Sequence, residues 1–307
     1  MLFSSAATFI ALFAASAQAA SGTYDYDHVD TWNADFAAPN GSCGGRKQSP
    51  IALETMDCSL YANYEMNQGD CTLDDMDFII NKNGVQMNWK ENLTCTQPFF
   101  KIPYAEITGN PDVTDFVGGA AYVHAQTHIH LSSEHTIDGK YFGAELHMVH
   151  LNGDGTRASV LGTMIRPVLP YDNPDFEHFL KRWADVRAES GCDCTDHYTF
   201  DPPEDFKLDV YANMEGKDFY HYDGGLTTPT CDEIVWWNFN TEAWNISVRQ
   251  YNIMADIILK NKKLEADEAG VESCASTPYT NASLGGSTSR PPQPLNGREV
   301  VKVCNFS

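Results

Sequence analysis

The stretch HAQTHIHLSSEHTIDGKYFGAELHMVH, from His124 to His150, carries six of the ten histidines in the 307-residue sequence. Its pattern predicts two strands separated by a turn at Asp138-Gly139. Because side chains alternate along a strand, His128 and His130 point to the same face of the first strand. If the second strand lies beside the first, His147 converges on the same point.

Three imidazoles that converge without an acidic ligand favour zinc, with the fourth tetrahedral position open to water, as in catalytic zinc sites. Neutral ligands leave the full charge on the metal, which lowers the pKa of bound water to about 7. The expected product is a hydroxide nucleophile at neutral pH. His135 and His150 fall on other faces or in the turn, and a structural role is favoured for both.

A second interpretation of the histidine pattern stays open at this level. His128-Ile-His130, followed by Glu134, also matches the first metal motif of cupins, in which the glutamate is itself a ligand of iron or manganese. The second cupin motif is absent around His147, and no His-Glu-x-x-His protease motif occurs in the sequence.

The composition favours a secreted protein. The apolar run AATFIALFAA, followed by small residues, predicts a signal peptide over residues 1–19 and leaves 20–307 as one domain. No stretch is long and apolar enough to span a bilayer. Nine cysteines fit an oxidising compartment, and so do five glycosylation sequons, at Asn40, Asn92, Asn245, Asn281 and Asn305. The formal charge of −22 disfavours nucleic acid and anionic membranes as partners.

The rest of the chain predicts one strand-rich domain with a few peripheral helices. Further strands are expected at DFIINKNGVQMNW, RASVLGTMIRPV and EIVWWNFN. One helix is predicted to follow the capping residue Asn173 and the first-turn Pro174. A second is expected from Ser247 to Leu259, and the polar segment Glu265–Ser289 is expected to lie on the surface.

Six motifs, in chain order, resemble the alpha-class carbonic anhydrases of the secreted, eukaryotic type. They are RKQSPI (46–51), NKNG (81–84), the block QTHIH, SEHTIDG and AELHMVH (126–150), SVLG (159–162), YHYDGGLTTPTCDEIVWW (220–237) and RPPQPLNGREV (290–300). Each motif is weak alone, but six in order with suitable spacing are specific.

The resemblance implies a mainly β fold, built as a single domain on a large twisted, mostly antiparallel sheet of about ten strands with peripheral helices. It implies the reversible hydration of carbon dioxide to bicarbonate and a proton, with Zn²⁺ held by His128, His130 and His147. The partner would then be a small-molecule substrate.

The resemblance also assigns roles to neighbouring residues. Gln126 and Glu145 match the acceptors that orient the metal-bound rings. Thr227, with Glu134 as the acceptor of its hydroxyl proton, matches the pair that orients the nucleophile. Substrate would contact Thr227, Thr228 and an apolar wall matched by Val149, Val160, Leu226 and Trp237. His135 matches a structural histidine near Glu145 and Tyr222, and Tyr26 matches a tyrosine of the solvent network.

The sequence departs from the family pattern at three places, one of which is Leu131, where the family often has an aromatic residue after the second zinc histidine. Val85 stands where the family often places a proton-carrying histidine, so the shuttle is unknown and proton export is expected to limit the rate. His124, on the metal face of its strand by parity, and His221 are the nearest alternatives in sequence. The usual asparagine before the C-terminal Arg-Pro motif is replaced around Thr288.

The resemblance implies a disulfide between Cys43 and Cys231, which would tether the loop that carries Thr227. Seven of the nine cysteines remain, an odd number, so at least one is expected to be free or to link two chains into an oligomer. Pairing of Cys274 with Cys304 is a further expectation. The cysteines left unassigned are Cys58, Cys71, Cys95, Cys192 and Cys194.

One alternative class is a non-enzymatic, acidic extracellular or mineral-matrix relative. Such relatives typically lose zinc histidines, whereas this chain keeps all three together with Thr227 and Glu134. The pattern therefore favours the enzyme.

Overall fold

A single large sheet forms the centre of the molecule. The computed structural model describes residues 24–39, 41–62, 64–102, 104–108, 121–189, 199–200, 202, 211, 216–262, 264–266, 270, 272–275, 277–278 and 280–305. The strands in these residues are β1 (Ala52–Leu53), β2 (Leu60–Tyr61), β3 (Glu65–Asn67), β4 (Met76–Asn81), β5 (Gly84–Trp89), β6 (Phe99–Lys101), β7 (Tyr122–Leu131), β8 (Thr136–Ile137), β9 (Ala144–Leu151), β10 (Ala158–Leu169), β11 (Phe219–Gly224), β12 (Val235–Asn240), β13 (Trp244–Ser247), β14 (Leu264–Ala266), β15 (Glu272–Cys274) and β16 (Val301–Cys304).

Twelve of the described strands form this sheet. Nine follow the order β2-β16-β11-β12-β10-β9-β7-β5-β4; in addition, β13 pairs with β10, β6 pairs with β7, and β3 pairs with β6. Most neighbours are antiparallel, and parallel pairs occur where β10 meets β12 and β13 and where β16 meets β2. The expected mainly β, mostly antiparallel architecture is confirmed, and the sheet is slightly wider than expected.

The described residues also form four helices, α1 (Trp32–Asp35), α2 (Tyr104–Thr108), α3 (Pro174–Glu189) and α4 (Val248–Lys260), and a 3-10 turn at Leu73–Asp75. The two predicted helices are α3 and α4. Asn173 caps α3 by accepting from the Phe176 N–H at 3.2 Å. Ser247 caps α4 by accepting from the Gln250 N–H at 3.0 Å.

The central strands are buried on both faces of the sheet. All eight residues of β9 are buried. One face packs on a core that includes Leu161 and the buried side of α4. The other face packs on a second core that includes Val149, Val160 and Trp237. Because β7 and β9 lie in the middle of the sheet, polar side chains on them are held rigidly and away from bulk water.

Three disulfides join described cysteines: Cys43–Cys231, Cys58–Cys304 and Cys71–Cys95. The expected pairing of Cys274 with Cys304 is wrong, because Cys304 is bonded to Cys58; the two lie 246 residues apart, a pairing that follows from the fold rather than from spacing. All seven described cysteines are disulfide-bonded, so the expected unpaired thiol is not among them. Cys192 and Cys194 lie outside the described residues.

Three further expectations concern the ends and loops of the chain. The predicted signal peptide, residues 1–19, and the sequon residue Asn40 lie outside the described residues. The described part of the chain contains no helix that is both long and apolar enough to cross a bilayer. The expectation that Glu265–Ser289 is a surface excursion is wrong at its end. Thr288 is fully buried, because its backbone bonds to Leu131 of β7.

Candidate active site

Three histidine rings converge on one point between β7 and β9. His128 and His147 are direct partners in the antiparallel register of these strands, and His130 lies two residues further along β7. The ring centroids are 4.9–5.0 Å apart. One nitrogen from each ring lies within 4.8 Å of the other two, so the three residues form a group that could hold a metal ion.

The outer nitrogen of each ring is held by an acceptor. His128 Nδ1 lies 2.8 Å from Gln126 Oε1, His130 Nδ1 lies 2.6 Å from the Thr288 carbonyl oxygen, and His147 Nε2 lies 2.6 Å from Glu145 Oε1. Each of these oxygens accepts, so each outer nitrogen carries the proton. The lone pairs are therefore on Nε2 of His128, Nε2 of His130 and Nδ1 of His147, the three nitrogens that face one another.

The inward nitrogens fit a zinc ion. His130 Nε2 is buried without a hydrogen-bond partner, and His147 Nδ1 lies 3.2 Å from His128 Nε2. Two facing lone pairs and a buried unpaired nitrogen are unfavourable unless a cation binds between them. Burial also lowers the pKa of His128 and of His147, which keeps both rings neutral, the form that binds metal.

Glu145 is the centre of a buried hydrogen-bond network. Its Oε1 accepts from His147 and from His135 Nδ1 at 2.7 Å, and its Oε2 accepts from the backbone N–H groups of Glu134 and His135. Burial opposes ionisation, but the electrostatic attraction of His135 and the hydrogen bonds from His135 and His147 hold the pKa of Glu145 below its usual range. The side chain is therefore a carboxylate that fixes the His147 ring and the turn after β7.

The network continues from His135 to the loop after β11. His135 Nε2 lies 2.6 Å from the hydroxyl of Tyr222, which lies 2.9 Å from Ser49 Oγ. Ser49 Oγ accepts from the Gly225 N–H at 3.2 Å. These bonds connect the metal-site carboxylate of Glu145 to the chain just before Thr227.

Glu134 and Thr227 both lie at the site, but the expected hydrogen bond between them is not formed within the described residues. Glu134 is fully buried, and its Oε1 accepts from the Arg290 N–H at 2.9 Å. Its Oε2 has no hydrogen-bond partner and lies 3.5 Å from His130 Nε2. Thr227 is 5% exposed and lines the same cavity as the three histidines.

A cavity of about 200 Å³ opens on the histidines and has two chemically different walls. The residues expected to contact substrate all line it. Its apolar wall consists of Val149, Leu151, Val160, Leu226 and Trp237. Its polar wall consists of Asn81, Asn83, Gln86, Asn88, Gln126 and Thr228. The cavity can therefore place a small apolar molecule beside the three ring nitrogens while polar side chains in the same lining bind water.

The two alternative proton carriers lie away from this cavity. The β7–β9 register shifts between His124 and Gln126, so strand parity fails there, and the expectation that His124 lies on the metal face is wrong. His124 Nδ1 accepts from the Trp89 indole N–H at 3.0 Å, and burial lowers the pKa of His124 to about 3. Burial likewise lowers the pKa of His221, next to Asn238, to about 4.

Val85 and Gln86 of β5 both line the cavity. Val85 touches the cavity but is 1% exposed and packs in the larger core. Gln86, its neighbour on β5, is the register partner of His128 and is only partly buried. Gln86 also bonds to the side chains of Asn81 and Asn88. The cavity wall at this place is therefore built of amides that do not titrate.

The roles of two residues at the site were not predicted from the sequence. Thr288 supplies the acceptor for His130 through its backbone, for which the only signal is the departure from the family pattern at that position. Tyr24, rather than Tyr26, donates its hydroxyl to Asn83 Oδ1 on the cavity wall, at 2.7 Å. The Tyr26 hydroxyl is buried without a partner. Asn281 donates to the Tyr24 carbonyl, so residues near the C-terminus hold the N-terminal segment in place.

Two curated relatives are carbonic anhydrases that the chain matches in part. The chain is 28% identical to a carbonic anhydrase of Dunaliella salina over 297 aligned residues. The alignment covers 91% of this chain and 43% of the relative. It is 25% identical over 244 residues to carbonic anhydrase 12 of Homo sapiens, with 73% and 60% covered. The chain thus spans about half the length of the curated relatives it matches.

Solved structures show the same fold at low identity. A halotolerant carbonic anhydrase from Dunaliella salina superposes with a TM-score of 0.60 at 22% identity, with 92% of this chain and 98% of the other covered. Dioscorin, solved in complex with ascorbate, superposes with a TM-score of 0.58 at 19% identity, with 93% and 100% covered. Since differently named proteins share this fold, the fold alone does not establish an activity.

One family model matches almost the whole described part of the chain. The model of the eukaryotic-type carbonic anhydrases matches residues 27–304, which include all three histidines and the loop that carries Thr227. The chain belongs to the eukaryotic-type carbonic anhydrase family.

Proposed function

We propose that this protein catalyses the zinc-dependent, reversible hydration of carbon dioxide to bicarbonate and a proton. The observation that carries the proposal is the convergence of three ring nitrogens whose lone pairs face one another, on two buried histidines and one partly buried histidine, with His130 Nε2 left unpaired. Zinc bound by His128, His130 and His147 would supply a hydroxide at neutral pH by lowering the pKa of a bound water.

The chain's own residues orient the reacting groups. Gln126, Glu145 and the Thr288 carbonyl hold the three rings so that their lone pairs point inward. Glu134 Oε2, which has no hydrogen-bond partner among the described residues, would accept the hydroxyl proton of Thr227 in the working enzyme, and the Thr227 oxygen would then be an acceptor only. An acceptor there favours a nucleophile that presents a hydrogen to Thr227 and a lone pair to the substrate.

The two walls of the cavity suit the substrate and the product. Carbon dioxide is apolar and uncharged, so Val149, Val160, Leu226 and Trp237 can hold it without polar groups. Bicarbonate is charged and needs hydrogen-bond donors, which the Thr227 backbone N–H and the Thr228 hydroxyl can provide, since both residues line the cavity.

We further propose that the protein is secreted, with residues 1–19 as its signal peptide and residues 20–307 as one catalytic domain. The disulfides fit an oxidising compartment. Of the sequons, Asn92 is exposed and open to glycosylation. The cupin-like alternative is not supported, because Glu134 is absent from the group of side chains whose ligand atoms converge.

The test is metal analysis of the purified protein combined with a stopped-flow assay of carbon dioxide hydration, before and after chelation and after readdition of zinc. We expect one zinc per chain and an activity that follows zinc content. His147→Ala should lose both, and His28→Ala, at an exposed histidine, should lose neither. Metal-free, inactive protein would favour the matrix alternative, and bound iron or manganese would favour the cupin alternative.

A further inference from the structure

The hydroxyl of Thr288 accepts a backbone hydrogen bond that a carbonyl oxygen would accept in a regular sheet. The register of β5 on β7 ends with Val85 opposite Ile129, and β5 itself begins at Gly84, so Leu131 at the end of β7 has no register partner in β5. Residues 287–288 lie there instead. The Thr288 N–H donates to the Leu131 carbonyl oxygen at 3.0 Å, as a neighbouring strand would do.

The return bond of this pair is unusual. In an antiparallel pair, the Leu131 N–H would donate to the Thr288 carbonyl oxygen. Here it donates to Thr288 Oγ1 at 2.9 Å. The Thr288 carbonyl is thereby free to accept from His130 Nδ1 at 2.6 Å. Thr288 is fully buried and His130 is 1% exposed, so water cannot replace either bond.

We infer that the Thr288 hydroxyl is a positioning group for the metal site: it occupies the Leu131 N–H so that the Thr288 carbonyl serves His130. Without the hydroxyl, the buried Leu131 N–H and the His130 Nδ1–H compete for one carbonyl, and a buried donor left unpaired is costly. The ring of His130 then loses its fixed tautomer and direction, and zinc affinity falls. This inference rests on the proposed function, since it requires that the site binds zinc.

The variants that test it are Thr288→Val, Thr288→Ala and Thr288→Ser. Valine keeps the shape and removes the hydroxyl, alanine removes both with less strain, and serine restores the hydroxyl. Thr280→Val is the matched control. Thr280 belongs to the same loop, is partly buried and donates its hydroxyl to a backbone carbonyl, that of Ile258, at 3.0 Å.

The measurements are zinc affinity by competition with a chelator and the visible spectrum of the cobalt(II)-loaded protein, which reports ligand geometry. We expect Thr288→Val and Thr288→Ala to lose about 10–100-fold in zinc affinity, the range for changes beside metal-bound histidines, and to shift the cobalt spectrum. Thr288→Ser and Thr280→Val should match the parent in both. If the valine variant does not fold, the alanine variant decides.

Two results would overturn the inference. One is parental zinc affinity and an unshifted cobalt spectrum in the variants that lack the hydroxyl, and the other is an equal loss in Thr280→Val. Both leave the proposed function standing, because the parent still binds zinc and hydrates carbon dioxide. A parent that binds no zinc and hydrates no carbon dioxide would instead reject the proposed function and this inference with it.

Discussion

Glu145 Oε1 lies 2.6 Å from Nε2 of His147, and the same oxygen also accepts from His135. The other oxygen accepts two backbone N–H groups, so all four contacts are donors to the carboxylate. A glutamine at this position must turn its NH₂ group toward one pair of donors. We expect Glu145→Gln to lose about 10–100-fold in zinc affinity, measured by chelator competition. Glu65→Gln, at an exposed ion pair, is the control, and unchanged affinity in Glu145→Gln would contradict the role given to this carboxylate.

Glu134→Ala separates the orienting role of Glu134 from metal binding. Glu134 Oε2 lies near His130 Nε2, but no proposed ligand bond involves it. We expect zinc content to remain at one per chain while kcat falls by about 100-fold, a size typical of a misoriented reacting group. The measurement is kcat from stopped-flow hydration at matched zinc content. Loss of zinc from the variant would indicate that the carboxylate is a ligand.

Removal of the Cys43–Cys231 disulfide should affect both stability and activity. Cys231 lies four residues beyond Thr227, and the cross-link ties this loop to the N-terminal segment. We expect the double serine variant to lose about 2–4 kcal/mol in the free energy of unfolding and to lower kcat. The double serine variant at Cys71 and Cys95, remote from the cavity lining, should lower stability alone. Equal effects of the two pairs on kcat would contradict a specific role in the loop.

Proton export should limit turnover. No histidine other than the three proposed ligands lines the described cavity, and His124 and His221 have pKa values of about 3 and about 4. Imidazole buffer should therefore raise kcat of the natural protein. Gln86→His, on the partly exposed cavity wall, should raise kcat at low buffer more than Val85→His, since a ring at position 85 would be buried and held neutral. A kcat independent of buffer concentration would show that another relay exists.

Stability should fall as the pH drops below about 6.5, the ordinary pKa of histidine in an unfolded chain. Burial lowers the pKa of His124 to about 3 in the folded protein, so between these values the unfolded state binds more protons. Stability is then lost with falling pH. Urea midpoints measured from pH 7 to 4 should fall less steeply in His124→Gln. His28→Ala should not flatten the curve, because the bond to Asp25 raises the pKa of His28. Parallel curves for His124→Gln and the parent would contradict the assignment.

The sequence predicted those features that depend on the alternation of side chains along a strand and on the capping of helices by nearby residues. His128, His130 and His147 converge because one regular stretch of two adjacent strands places them, and α3 and α4 begin where their capping residues stand. The side of His124 was mispredicted because a single register shift, invisible in the residue pattern, reverses the parity of the strand.

Other features depend on contacts between distant segments. A backbone carbonyl leaves no trace in residue identity, so the acceptor role of Thr288 could not be predicted from the sequence. The choice between Tyr24 and Tyr26 depends on how Asn281 holds the N-terminal segment, and the partner of Cys304 depends on the closing of β16 beside β2. Each requires the folded arrangement of parts far apart in the chain.

The loop from Asn281 to Arg290 supplies the acceptor for His130 and the donor for Glu134, although it follows both residues far downstream in the chain. During synthesis, the two histidine-bearing strands therefore leave the ribosome long before the groups that orient them. A nascent chain released before this loop contains every proposed zinc ligand but lacks the contacts that fix His130. If the proposed zinc binds, its tight capture is therefore expected only after this loop has been synthesised and has packed against β7.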